Sequence, residues 1–310
     1  MVSCPLLTRS RVPASLPAVT TIGEEADPQS LGVSPDAVAR IWSAVEHLYQ
    51  SGMHPALQLC IRRRGGVLLD RAIGHAAGNG PDDPPQALKI RATPATPFCI
   101  FSASKAITAM VIHLLDERNL IRLDDPVCAY IPELGVGSKQ WITIRHVLTH
   151  RAGIPNLPRE ATDLDRLSDP ASIVRILCEA KLTWRPGRQL AYHAFSGGFI
   201  LGELVRRVTG KTIREVLDEE VCRPLGLRWL NYGVAAADLG RVARNYFTGP
   251  PVLPPFSTLL RRALGVEFHE VPEVSNDRRF LLGIVPSANV VATANEMSRF
   301  YQLLLDGGTL

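Results

Sequence analysis

The sequence predicts an α/β chain of the α+β kind, with its strands gathered early and its helices spread through the remainder. Three observations carry this. The runs ALQLCIRR and GVLLDRAIG alternate around Arg64-Gly65-Gly66, which is a strand pair joined by a turn. Through the middle of the chain the apolar spacing is helical in one segment after another, each stopped by Gly or Pro. The last segment, VATANEMSRFYQLLLDGGTL, has no strand behind it. A hairpin needs further strands beside it to be stable, so the chain reads as cut short at its C terminus.

Local signals place each element. Residues 1–34 are rich in Pro and Ser and are read as a disordered tail. DAVARIWSAVEHLYQSG is an amphipathic helix, with Ser34 or Asp36 near its cap and Gly52 at its end. After the strand pair, GHAAGNGPDDPP is loop. Residues 96–115, TPFCIFSASKAITAMVIHLL, lead from a short apolar run into a helix. Its Ile107, Met110, Val111, Leu114 and Leu115 share one buried face. LIRLDDPVCAYIPEL wraps the surface, and WITIRHVLTHRAGIPNLP gives an extended piece and a helical turn around residues 146–149. ASIVRILCEAKL is helical, GGFILGELVRRVTG is a helix closed by Gly210, and KTIREVLDEEVCRPLGL is one closed by Pro224 and Gly226. Residues 231–277 show no regular pattern, and the final helix has Thr293 or Asn295 as its cap.

Composition narrows the classes. The chain has 310 residues, 46% of them apolar and 21% charged, which suits a globular protein of roughly two domains. Its net charge of +4 is scattered rather than gathered into a basic block, so nucleic acid is not an expected partner. Six cysteines stand singly with no Cys-x-x-Cys, and are read as buried free thiols in a reducing, cytoplasmic setting. No apolar run approaches the ~18 residues of a membrane span. The N terminus carries Arg9 and Arg11 without a continuous apolar core, so it is no secretory signal, and organelle targeting is the alternative to the cytoplasm. The eight histidines form no His-Glu-x-x-His, and no metal or cofactor is expected.

Ser102 and Lys105, spaced Ser-x-x-Lys at the head of their helix, share a face within reach of each other. A serine hydroxyl is a poor nucleophile at neutral pH, and an amine whose pKa is lowered by burial can serve as its base. The positive end of the helix favours an oxyanion forming at Ser102. The plainer reading is a Ser N-cap followed by a solvated Lys.

Further segments decide between them. TPFCIFSASKAITA resembles the nucleophile segment of the serine β-lactamase-like hydrolases. That group holds class C β-lactamases, penicillin-binding carboxypeptidases and β-lactamase-fold carboxylesterases. LDDPVCAYIPEL, ITIRHVLTHRAGIP, WRPGRQLAYHAFSGGFILGELVRRVTG, CRPLGL and VATANEMSRFYQLLLDGG resemble its later landmarks in the same order. The resemblance implies an antiparallel sheet flanked by helices, with a helical domain inserted and the active site between them. On it, residues 35–118 and 280–310 form the sheet domain, lacking its C-terminal strands, and residues 119–279 the inserted domain. Ser102 is then the nucleophile and Lys105 its base. Tyr192, at the place of the family's Tyr-x-Asn or Tyr-x-Ser, is a buried phenol that relays the proton.

Two departures shape the functional expectation. Ala194 stands where a substrate-binding Asn is expected, and Ala has no amide to hold an acylamide group, which tilts the reading from antibiotics to esters. His193 beside it is the candidate substrate contact. The family's third motif, Lys-Thr-Gly or a variant, is not found up to Leu310, and Gly210-Lys211-Thr212 reads as a helix end. His150, in THRAGIP, is read as fixing a turn with Gly153. The expected activity is hydrolysis of a small-molecule carboxylic ester through an acyl-enzyme. The alternatives are β-lactam or D-Ala peptide hydrolysis, and a non-catalytic scaffold or sensor. A rival from another fold is a nucleophile elbow at Ser196 in AFSGG, with Asp238 or Asp277 and His269 downstream.

Overall fold

The computed structural model describes residues 7–157, 163–264 and 267–308. A first antiparallel sheet is built from β1 (Thr20–Ile22), β2 (Ala56–Arg63), β3 (Gly66–Ala77) and β4 (Ile90–Arg91), in the order β1-β3-β2 with β4 also on β3. The β2–β3 turn falls on Arg64 and Gly65, both left-handed at φ 50° and 78°, the geometry a two-residue hairpin needs. Helix α1 (Pro35–Gln50) starts where Ser34 accepts the Ala37 N–H, with Pro35 in its first turn, and packs Val38, Trp42 and Tyr49 against this sheet. The stretch expected as a tail departs from the sequence reading. Its β1 pairs Thr20 with Ile73, and Val19 and Leu31 are buried in the same apolar cluster as Trp42. Two apolar anchors within a Pro- and Ser-rich stretch are enough to hold it down.

A second sheet, order β5-β7-β6, consists of β5 (Phe98–Cys99), β6 (Asn231–Tyr232) and β7 (Val290–Ala292). Three chain segments far apart in sequence meet here, each too short to show a two-residue period. Helix α2 (Ser104–Glu117) leaves β5 and buries Ile107, Val111, Ile112 and Leu115, while Met110 and Leu114 are only half-buried. Three 3₁₀ turns follow between Val127 and Trp141, and the segment expected to wrap the surface anchors itself by burying Val127, Ile131 and Leu134. Then follow α3 (Ile144–Leu148), α4 (Pro170–Glu179), α5 (Ser196–Thr209), α6 (Ile213–Leu217) and α7 (Arg223–Leu225). Gly210 and Gly226 are left-handed at φ 72° and 59° and end α5 and α7, so Gly210-Lys211-Thr212 is a helix end.

Residues 231–277, expected to be irregular, include β6, α8 (Phe256–Leu264) and α9 (Val271–Asn276). After α10 (Arg278–Leu282) and β7, the chain ends its described part on α11 (Ala294–Leu305). Thr293 and Glu296 form a capping box at its start. The largest apolar cluster joins α2, α4, α5, α6 and β7 through Ile107, Leu177, Leu204, Val216 and Val290, and it backs the site described below. Five cysteines fall among the described residues, all free, with Cys99 and Cys222 buried. No helix among the described residues is long and apolar enough to cross a membrane.

Candidate active site

The nucleophile turn joins β5 to α2. Ile100 donates to the Val290 carbonyl at 2.9 Å, and Phe101 then takes a left-handed φ of 46°. A bulky residue in that region is strained by about 1–3 kcal/mol and stays there only if its surroundings hold it. Ser104 does so. Its fully buried hydroxyl donates to the Phe101 carbonyl at 2.5 Å and accepts the Val290 N–H at 3.0 Å, tying the turn to β7. One turn later Thr108 donates to the Pro286 carbonyl at 2.6 Å, leaving the Tyr232 hydroxyl to donate to Thr108 at 2.8 Å. With α2 fixed from behind, Ser102 faces outward and is exposed.

Lys105 lies beside it. Its Nζ is 3.3 Å from Ser102 Oγ, 2.9 Å from the Ser287 carbonyl and 4.8 Å from the centre of the Tyr192 ring. Burial pushes the amine below the ordinary lysine range, with the Tyr192 phenol opposing in part. The Tyr192 hydroxyl donates to Ser102 Oγ at 2.6 Å. Contrary to the expected buried phenol, Tyr192 is 42% exposed, so the relay side of the site is open to solvent.

His150 steadies Tyr192. Their ring centres are 5.1 Å apart, and Ala191 donates to the His150 carbonyl at 3.1 Å. His150 Nδ1 accepts the His193 N–H at 3.2 Å, so that nitrogen carries no proton. Burial first, and the Lys105 charge second, hold its pKa below the usual histidine value.

His193 does not meet the expectation of a substrate contact. It is 0% exposed, its Nε2 accepts the Ile154 N–H at 3.2 Å and its Nδ1 bonds the Ala191 carbonyl at 2.6 Å. Both ring nitrogens are used to bind backbone, at Ile154 and at Ala191 next to Tyr192. Ala194 is buried as well, at 3% exposure.

Ser287 and Asn289 complete the support. Ser287 is seated so close to α5 that a Cβ at Gly198 would come within 2.1 Å of its Oγ. Asn289, fully buried, donates to the Phe280 and Gly283 carbonyls at 2.8 and 2.9 Å and accepts the Val285 N–H at 2.9 Å. The rival at Ser196 is not assembled. That hydroxyl is 1% exposed and donates to the Ile154 carbonyl at 2.5 Å, while Asp277 is engaged by Arg279 and Asp238 by Arg228 and Arg241.

On its other side Ser102 borders a cavity of about 510 Å³. Phe98, Phe101, Phe195, Phe247, Phe268 and Phe280 supply its aromatic walls.

The family model described as Beta-lactamase matches residues 43–310. This chain belongs to the β-lactamase family. It is 34% identical over 225 residues to "Esterase/beta-lactamase LipL" of Mycobacterium tuberculosis, covering 68% of this chain and 51% of that protein. It is 33% identical over 172 residues to "Esterase EstB" of Burkholderia gladioli, covering 50% of this chain and 43% of that protein. The chain thus spans about half the length, or less, of these curated relatives. Among solved structures it resembles a family VIII carboxylesterase at TM-score 0.72 and 26% identity, over 93% of this chain and 73% of that one. A penicillin-binding protein homolog from Caulobacter crescentus matches at the same TM-score and identity, over 93% and 72%.

In this β-lactamase-family chain the motif residues Ser102, Lys105 and Tyr192 come together as expected, and Ser104, Thr108, Ser287 and Asn289 were not foreseen. Ser104 and Thr108 left one trace in the sequence. With Ile107, Val111 and Ile112 they fill the buried face of α2, and two hydroxyls on a buried helical face need partners. Ser287 and Asn289 lie in an irregular segment with no period to flag them.

Proposed function

We propose that this chain is a serine hydrolase of carboxylic esters that works through an acyl-enzyme on Ser102. The observation that carries this reading is one exposed hydroxyl within 2.6 Å of a phenol and 3.3 Å of a lysine amine whose pKa burial lowers. Neutral Lys105 takes the Ser102 proton as Oγ bonds to the ester carbonyl carbon. The backbone N–H of Ser102, at the head of α2, donates to the oxyanion. As the C–O bond to the alcohol breaks, Tyr192 delivers its proton to the leaving oxygen and is resupplied by Lys105. Water then attacks the acyl carbon, giving its proton to the relay, and as the Oγ–C bond breaks the relay returns that proton to Ser102 Oγ and the acid is released.

Ala194 offers no amide for an acylamide side chain, and LipL and EstB both carry esterase in their names, which supports esters over β-lactams. β-Lactam hydrolysis is the second reading, favoured by the beta-lactamase half of the LipL name, and nitrocefin tests it. The five free thiols suit a reducing, cytoplasmic compartment.

The test is turnover of p-nitrophenyl butyrate. Ser102→Ala is expected to fall to background and Ser196→Ala to retain activity. A Lys105→Ala variant that kept most of the activity would overturn the mechanism.

A further inference from the structure

We propose that the cavity beside Ser102 is the acyl site and takes an apolar acyl chain of about eight carbons or more, while the alcohol lies on the Tyr192 side and is weakly selected. This rests on the serine-hydrolase reading of Ser102 and adds the orientation and class of its substrate.

The two flanks of Ser102 differ in what they can do to an ester. Lys105, Tyr192 and His150 are grouped on one flank, and none of them lines the cavity. The proton taken from Ser102 returns to the leaving oxygen through those groups, so the alcohol must lie on their flank. That flank is open, with Tyr192 42% exposed, and an open surface discriminates little between alcohols. At the tetrahedral carbon the acyl substituent points away from the leaving oxygen, toward the cavity.

The cavity suits an acyl chain. Its volume of about 510 Å³ lies within the range of small-molecule pockets. Between its aromatic walls stand Ala56, Ala76, Ala243 and Ala288, small residues that leave the depth unfilled. Among the described residues the lining contains no Asp or Glu. Several of its polar side chains are already bonded within the protein. Asn245 donates to Ser275 at 3.1 Å, Thr248 to the Met53 carbonyl at 2.7 Å, and the Tyr246 hydroxyl accepts the Gly78 N–H at 3.0 Å. His54, His75 and Arg244 are the remaining titratable groups of the lining, and burial holds His75 below the usual histidine pKa. Phe101 links the two functions, since its left-handed backbone seats the nucleophile and its residue forms part of the wall.

Each methylene moved from water into such a site is worth up to about fourfold in kcat/KM. The experiment measures acylation of Ser102 by burst release of p-nitrophenol and by peptide mass. It uses p-nitrophenyl acetate, butyrate, octanoate and laurate, beside methyl, butyl and octyl acetates, whose hydrolysis is followed by titration of the acetic acid released. The expected result is a rise of about tenfold or more in kcat/KM from butyrate to octanoate, with the alcohol series flat to within about threefold. Ala243→Phe and Val271→Phe are each expected to lower the octanoate-to-butyrate ratio about tenfold. Val271 is half-buried on α9, so its variant probes the wall without a substitution beside the sheets. A flat or falling acyl series with Ser102 still acylated overturns this inference alone, as does a chain-length dependence found on the alcohol. Absence of any acyl group on Ser102 overturns the serine-hydrolase reading itself.

Discussion

On one side of Ser102 a phenol and an amine converge within 3.3 Å of its oxygen; on the other, six phenylalanines border a cavity of about 510 Å³. The polar side is made by few residues held at fixed distances, and each of its neighbours is tied to backbone by a named hydrogen bond. The apolar side is assembled from many segments of the chain, with residues 53–56 and 243–248 giving the longest runs, and its Phe, Ala and Val walls make no directional bonds. Directional contacts fail abruptly when one partner is removed, whereas apolar walls yield by degrees. Substitutions on the polar side should therefore abolish or cripple the chemistry. Those on the apolar side should shift preference.

The largest expected effect after loss of Ser102 itself is at Lys105. Lys105→Ala should cost about 10³-fold or more in kcat, since nucleophile and base act as one unit. Lys105→Arg should be no better, because a guanidinium stays protonated and cannot accept the serine proton. Next comes Tyr192→Phe, which removes the 2.6 Å bond to Ser102 and is expected to cost about 10²-fold, read as kcat on p-nitrophenyl butyrate.

Ser104→Ala separates positioning from chemistry. It removes the side-chain acceptor of the Val290 N–H and one of the donors to the Phe101 carbonyl, which keeps the residue-104 N–H, and should cost about 1–3 kcal/mol in chemical denaturation. kcat should drop with KM nearly unchanged, and Ser104→Thr, which keeps the hydroxyl, should recover part of it. Equal loss in the Thr variant would assign Ser104 to packing alone.

The pH dependence sharpens the same comparison. Burial favours the neutral amine at Lys105, and only the neutral amine can accept the serine proton. Acylation should therefore rise with pH and level off at a pKa below the ordinary lysine value of about 10.4. A rate falling with rising pH over that span would require a protonated Lys105. The smallest effects are expected at the cavity wall, where Val271→Phe alters the ranking of esters more than the best rate among them.

The same contrast explains what could be read from the sequence. Ser102 and Lys105 were legible because their spacing is local and the helix that follows has a strong period, whereas Tyr192, in an irregular stretch ahead of α5, was placed only by the family resemblance. The helix of residues 35–50, the hairpin turn at Arg64-Gly65 and the glycine ends of α5 and α7 were legible for the same reason. The second sheet was not, because its strands run two or three residues and pair only across long stretches of chain. His193 was misplaced because adjacency to Tyr192 says nothing of which way its ring turns. The structure turns it inward to bind two backbone groups. The cavity was illegible because its lining residues are scattered from Met53 to Ala288, and residues 243–276 follow no single period.

The most direct test of the central claim is the intact mass of the protein after exposure to a fluorophosphonate, with the modified peptide sequenced. A single adduct on Ser102, lost in Ser102→Ala and slowed in Lys105→Ala, is the predicted result. An adduct that persists in Ser102→Ala, or none on the wild-type chain, would contradict it.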